Sequence, residues 1–150
     1  MLEKLLSEER VKIGMKAKDK DSALEELVSL LNLPDNSKQI ILDALKKREL
    51  IGSTGIGKGI AIPHTRSTVV NEVYLAVGIS KEGVDFQAVD NQPVHLFFLL
   101  IAPPNDPGST YLIVLGKIAQ IAKRIAKENI DYLSIDNPKD LINLILSLEA

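Results

Sequence analysis

Nine consecutive residues, Val94-His95-Leu96-Phe97-Phe98-Leu99-Leu100-Ile101-Ala102, are apolar at every position but one, and Pro103-Pro104 follows at once. The pair of prolines cannot donate to a strand ladder, so the run reads as a β-strand with a sharp end. Side chains of a strand alternate between its two faces. A strand that is apolar throughout therefore leaves neither face for water and has to be covered on both sides. Its apolar core, Leu96–Ala102, is far shorter than the roughly 20 residues that cross a bilayer as a helix.

The flanking segments supply the covers. Val11-Lys12-Ile13-Gly14-Met15 alternates as a first strand. Asp19 or Asp21 caps a helix with Leu24, Leu27, Val28 and Leu31 on one face, ended by Leu33-Pro34-Asp35-Asn36. A second helix is expected from near Ser37, with Ile40, Ile41, Ala44 and Leu45 inward, Lys46, Lys47 and Arg48 in its last turn, and Gly52 as its stop. Short strands follow at Ile60–Ile62 and Val73–Ile79. From about Ser109 to Lys127 a long helix is expected, its inner face Leu112, Leu115, Ala119, Ala122 and Ala126. Asn137-Pro138 opens a terminal helix bearing Leu141, Leu144, Ile145 and Leu148. The expectation is an α/β fold: one domain over 1–150, a three-layer α/β/α sandwich around a mixed sheet of about four to five strands.

Composition removes several functions. There is no cysteine, which excludes disulfides, thiolate metal sites and thiol catalysis. A net charge of −2 with no basic tract gives no case for nucleic acid. Two histidines and no carboxylate cluster at ligand spacing leave no metal site, and no cofactor is expected. Met1-Leu2-Glu3-Lys4 lacks a signal-peptide pattern, so a cytoplasmic protein without membrane insertion is the expectation.

The chemistry concentrates in Gly52-Ser53-Thr54-Gly55-Ile56-Gly57-Lys58-Gly59-Ile60-Ala61-Ile62-Pro63-His64-Thr65-Arg66. Gly52 to Lys58 imitates a nucleotide P-loop, but Gly59 stands where that motif needs a magnesium-binding hydroxyl. The order of elements is reversed as well: a helix precedes and a strand follows, so no helix N-terminus faces a phosphate. Four glycines in eight residues exceed what one turn needs, which points to close approach of another backbone or of a phosphate. At the strand's end stands His64, an imidazole with an ordinary pKa near ~6.5 and hence a neutral nitrogen nucleophile at physiological pH.

Three stretches together resemble the fructose/mannitol-type (type 2) enzyme IIA domains of the bacterial phosphotransferase system, including the nitrogen-regulatory IIA proteins. They are Arg48-Glu49-Leu50, Gly52 through His64, and Phe86-Gln87-Ala88-Val89-Asp90-Asn91-Gln92-Pro93-Val94. The resemblance implies a histidine phosphotransferase component: His64 accepts a phosphoryl group from the phosphocarrier HPr and passes it to a IIB domain, or uses it as a signal to a regulatory target. It implies that Arg48 pairs with the phosphate, and that the ring nitrogen farther from the backbone is the one modified. Ser53, Thr54, Thr65, Lys58 and Arg66 are candidates for phosphate binding or docking, and Ser53 and Thr54 can equally be turn-fixing residues. Two positions depart from the pattern. Thr65 replaces the glycine that many relatives have after the histidine, and Tyr111 falls where relatives often carry a second histidine. Tyrosine offers a hydroxyl but no cation at neutral pH. His95 is expected to be a partly buried strand residue without a catalytic part.

Overall fold

The computed structural model describes residues 1–149. Two short 3₁₀ turns lead into β1 (Val11–Ile13), followed by α1 (Lys20–Val28), α2 (Asp35–Ile51), β2 (Gly55–Gly57), β3 (Ile60–Ala61), β4 (His64–Arg66), β5 (Tyr74–Val84), β6 (Val94–Ala102), α3 (Thr110–Lys127) and α4 (Pro138–Leu148). The strands form one mixed sheet in the order β1-β5-β6-β3-β2, and β4 also pairs with β6. Six strands are thus present among the described residues, where about four to five were expected; β2 and β4, which were not expected, are three-residue pieces too short to show periodicity.

The apolar run is indeed the central strand. β6 pairs antiparallel with β5 on one side and parallel with β3 and β4 on the other. Its even-numbered residues Leu96, Phe98 and Leu100 join a core closed by α3 and α4. Phe97, Leu99 and Ile101 join a second core closed by α1 and α2. One strand thereby anchors both layers.

Helix starts follow local chemistry. Asp19 is the N-cap of α1: its Oδ1 accepts from the Ser22 N–H at 2.9 Å, closing a capping box. Asn137 caps α4, with Pro138 at the first helical position. α2 begins at Asp35, two residues before the expected Ser37, because Pro34 takes the extended N-cap conformation and Asp35 favours the positive helix end. The helix continues to Ile51, so Lys46 and Lys47 lie a turn inside it. Ile40, expected inward, is 50 % exposed, and Leu42 is buried instead. The inner face of α3 is also rotated from the expected one. Tyr111, Val114, Ile118, Ile121, Ala122 and Ile125 are buried, while Leu112 is 59 % exposed.

The glycine loop is explained by close approach to a neighbouring backbone. A Cβ on Gly55 would stand 2.7 Å from the Ala88 Cβ and 3.0 Å from its Cα, and the Val89 N–H donates to Gly55 O at 3.1 Å. Only glycine lets these two segments meet.

The two ends of the structure are tied at Glu149. Its carboxylate takes the Leu2 N–H at 3.2 Å and lies 3.3 Å from Lys117 Nζ and 3.4 Å from the Met1 amino group. Burial by itself raises the Glu149 carboxyl; the Leu2 N–H, Lys117 and the Met1 amino group outweigh it and leave it below the ordinary 4.5. A folded-state value below the unfolded one stabilises the fold above that ordinary value and stops doing so as pH falls through the lowered one. Glu149→Gln should therefore lose stability near neutral pH, with the deficit shrinking below pH 4.5; urea unfolding at a series of pH values measures it.

Candidate active site

β3 and β4 run in line along one edge of β6, broken at Ile62-Pro63 because proline has no N–H for the ladder. Pro63 still contributes its carbonyl, which accepts from the Leu100 N–H at 3.0 Å. His64 re-enters the ladder opposite Leu100. Its ring bends back so that Nδ1 lies 2.6 Å from the carbonyl oxygen of Ile62. A carbonyl can only accept, so Nδ1 carries the hydrogen, and in the neutral ring the lone pair is on Nε2. Of the two neutral tautomers the backbone thereby selects the one with hydrogen on Nδ1. His64 is half-buried rather than sealed in the interior.

Strand alternation puts His64 and Arg66 on one face of β4 and Thr65 on the other. On the first face α3 begins, its Tyr111 N–H donating to Asp106 Oδ2 at 2.7 Å. The Tyr111 ring centroid is 6.3 Å from that of His64, and the Arg66 guanidinium carbon is 4.5 Å from the Tyr111 ring centroid. Arg66 is steadied by donating to Pro103 O at 3.0 Å. Arg48, near the end of α2, donates to Gly52 O at 2.8 Å, and its charge is felt at the Tyr111 hydroxyl. Burial pushes the Tyr111 hydroxyl above its ordinary 10.0, and the charges of Arg66 and Arg48, which act the other way, do not cancel it. Tyr111 is neutral at physiological pH, and the Arg66 guanidinium lies on the ring beside His64.

The other candidates are placed differently. Thr54 is buried and its hydroxyl donates to Glu49 Oε2 at 2.5 Å. Ser53 donates to Phe86 O and accepts from the Gly55 N–H. Both hydroxyls hold the loop rather than point at an anion. Thr65 Oγ1 is 3.3 Å from its neighbour's carbonyl, Arg66 O. Lys58 does not join His64. It precedes Gly59 and Ile60, and Ile60 pairs with Leu96, four residues along β6 from Leu100, roughly 13 Å at strand rise. There it lines a groove of about 490 Å³ with Ile56, Ala119, Ala122, Lys123 and Lys127. His95 lies at that same end of β6, its Nδ1 2.8 Å from Ser80 O.

Glu49 and Asp106 went unassigned in the sequence. The first stands beside Arg48 in the motif, and the second lies a few residues before Tyr111. Nothing in local spacing shows that Glu49 folds back onto Thr54, because that contact exists only once α2 packs on the loop.

Residues 4–148 match the family described as the phosphoenolpyruvate-dependent sugar phosphotransferase system, EIIA 2. The chain belongs to this family. Among its relatives is the fructose-specific EIIABC component of Bacillus subtilis, 36 % identical over 143 residues; the match covers 93 % of this chain and only 22 % of that protein. A nitrogen regulatory protein of Klebsiella oxytoca is 38 % identical over 136 residues, covering 86 % of this chain and 78 % of the relative. The crystal structure of nitrogen regulatory protein IIA-Ntr from Neisseria meningitidis superposes with a TM-score of 0.77 at 29 % identity, covering 95 % of this chain and 97 % of that one. EIIA domains are phosphotransfer components, and the site described above suits an anion of that kind. Among the described residues, no helix is long and apolar enough to cross a membrane.

The contribution of the Tyr111 hydroxyl can be separated from that of its ring. Tyr111→Phe keeps the aromatic surface under Arg66 and beside His64. The expected result is a phosphorylation rate lowered about three- to tenfold, the worth of one hydrogen bond, while Tyr111→Ala loses more because Arg66 is released. Quenched-flow labelling with a phosphorylated carrier protein measures both.

Proposed function

We propose that this protein, acting as one IIA unit over residues 1–150, is a cytoplasmic phosphocarrier that takes a phosphoryl group on His64 Nε2 from an HPr-like protein and passes it to a IIB domain. The observation that supports the proposal is the hydrogen bond from His64 Nδ1 to Ile62 O, which in the neutral ring leaves the lone pair on Nε2, in a site that also holds Tyr111 and Arg66. As the Nε2–phosphorus bond forms, the donor's bond to phosphorus breaks. Nδ1 keeps its proton, and the positive charge that develops on the ring is met by the Ile62 carbonyl. Arg48 and Arg66 meet the equatorial oxygens, where charge spreads in phosphoryl transfer. No metal or cofactor takes part in this scheme.

A partner has apolar surface to meet. Ile51 at the end of α2 is 85 % exposed, and Leu112 and Ile113 at the start of α3 are 59 % and 44 % exposed. These are the helix ends that carry Arg48 and Tyr111 to the site. A phosphate adds nearly two negative charges at pH 7, enough to remake an interface with that rim. The same change supports a second reading, a regulatory IIA protein whose phosphorylation state controls a non-transport target. Its likeness to nitrogen regulatory proteins over most of their length favours that reading.

The test is incubation with enzyme I, HPr and phosphoenolpyruvate. The expected product is one acid-labile, base-stable phosphate per chain, mapped to His64 by mass spectrometry. Absence of label with cognate partners overturns the proposal. Onward transfer to a IIB domain supports the transport reading, and retention of label with every cognate IIB supports the regulatory one.

A further inference from the structure

The proposed transfer leaves one buried charge without a part. Glu49 is 6 % exposed, and a carboxylate is kept at such a position only when it is paired and hydrogen-bonded. Both its oxygens are engaged by a single residue: the Thr54 N–H reaches Oε1 at 3.1 Å and the Thr54 hydroxyl reaches Oε2 at 2.5 Å. Lys20 supplies the compensating charge, its Nζ 3.6 Å from Oε1. Lys20 is held in turn over the Phe86 ring at 5.4 Å.

Thr54 leads directly to the imidazole. Its carbonyl accepts from the Ile62 N–H at 3.0 Å, and the carbonyl of that same Ile62 holds His64 Nδ1 at 2.6 Å. Ile62 also precedes proline, which confines its backbone to extended conformations and leaves little freedom for its carbonyl to swing. From Glu49 to His64 the connection is therefore short: one side chain clamps Thr54, which holds the N–H of Ile62, and the carbonyl of the same Ile62 orients the ring.

We infer that Glu49 is a positioning residue for His64, clamping Thr54 so that the Ile62 carbonyl keeps Nδ1 protonated and Nε2 aimed outward. It does not touch the phosphoryl group. The inference rests on the phosphocarrier reading for its kinetic consequences, but its structural consequence, the tautomer of His64, requires no partner. Misplacing a reacting atom by about 1 Å can cost on the order of a hundredfold in rate.

The experiment uses the full chain and the variants Glu49→Ala, Glu49→Gln, Thr54→Val and the double variant Glu49→Ala/Thr54→Val. Ring ¹⁵N shifts of His64 are recorded without any partner, and kcat and KM are then measured with phosphorylated HPr. Glu49→Ala and Thr54→Val are each expected to lower kcat about tenfold with KM unchanged, and to raise the population bearing hydrogen on Nε2. Glu49→Gln should stay within about threefold of the parent, since its amide can accept from the Thr54 N–H and donate to the hydroxyl. The double variant should be no slower than the worse single one, because both act through one connection.

Parental shifts and rates in Glu49→Ala and Thr54→Val overturn the inference, as does a Glu49→Gln as slow as Glu49→Ala, or a double variant in which the two losses multiply. Should Glu49→Ala not fold, Thr54→Val decides alone, since it removes one hydroxyl and keeps the shape. If the parent takes no phosphate while the ¹⁵N shifts move as expected, the functional reading fails and the positioning inference stands.

Discussion

His64→Ala should abolish phosphate uptake, leaving labelling by phosphorylated HPr at background. The reasoning is subtractive. Nothing else at the site can replace Nε2 as a nucleophile. The Tyr111 hydroxyl is held protonated by burial, and the Thr54 hydroxyl is bound to Glu49. The second histidine of the chain, His95, stands five residues along β6 from Leu100, the partner of His64; that is roughly 16 Å at strand rise. The substitution removes one hydrogen bond, from Nδ1 to Ile62 O, so its cost in stability should be near 1 kcal/mol. Urea unfolding run beside the labelling separates loss of chemistry from loss of fold. Undiminished label in this variant would place the phosphoryl group elsewhere and remove the argument built on the tautomer.

Phe97→Ala should produce the largest loss of stability, about 3–5 kcal/mol, against a total of about 5–15 kcal/mol for a typical domain. Phe97 is fully buried, and its ring meets that of Phe86 edge-on at 5.4 Å. Its neighbours across the ladders are small: Gly78 on β5 and Ala61 on β3. Glycine and alanine have no side-chain length with which to fill the space a phenyl ring leaves, so the cavity persists and the full penalty applies. The effect should extend to function, since β6 holds the register of both β3 and β4. A midpoint in urea unchanged from that of the parent would show that the cores on the two faces of β6 are not built as described.

The rotated face of α3 shows where reading residues in order loses information. Leu112, Leu115, Ala119, Ala122 and Ala126 recur at helical spacing, and so do Tyr111, Val114, Ile118, Ile121 and Ile125. On a helix apolar around much of its girth, periodicity identifies the helix but not which stripe meets the sheet. The bulkier stripe wins, because β-branched residues fill the space against β6 while alanines leave it empty. The exposed Leu112 and Ile113 are the residue of that choice, and they become surface available to a partner. On α2 likewise Ile40 is exposed and Leu42 buried, a choice between apolar residues that periodicity does not make.

The resemblance marked His64, Arg48 and Tyr111 as candidates and residue type added Arg66; the structure sets His64, Tyr111 and Arg66 next to one another. Lys58 could not be placed that way. It lies within a few residues of His64 in the chain yet at the far end of β3, because a strand separates its residues by more than 3 Å each. Glu49 was hidden for the opposite reason, since its partner Thr54 is reached only when the loop folds back over the end of α2.

By itself, the order of residues determined the central strand, the caps at Asp19 and Asn137, the rejection of the P-loop and the histidine at the strand's end. Each follows from interactions within a few residues of chain, where composition and spacing dictate the physics. Tertiary structure alone decided which face of α3 is buried, which hydroxyls are already engaged, and which carboxylate stands behind the imidazole. Those depend on how helices, loop and sheet pack on one another, whether the partners are five residues apart, as Glu49 and Thr54 are, or 33, as Ser53 and Phe86 are, and the periods of helix and strand carry no record of such encounters.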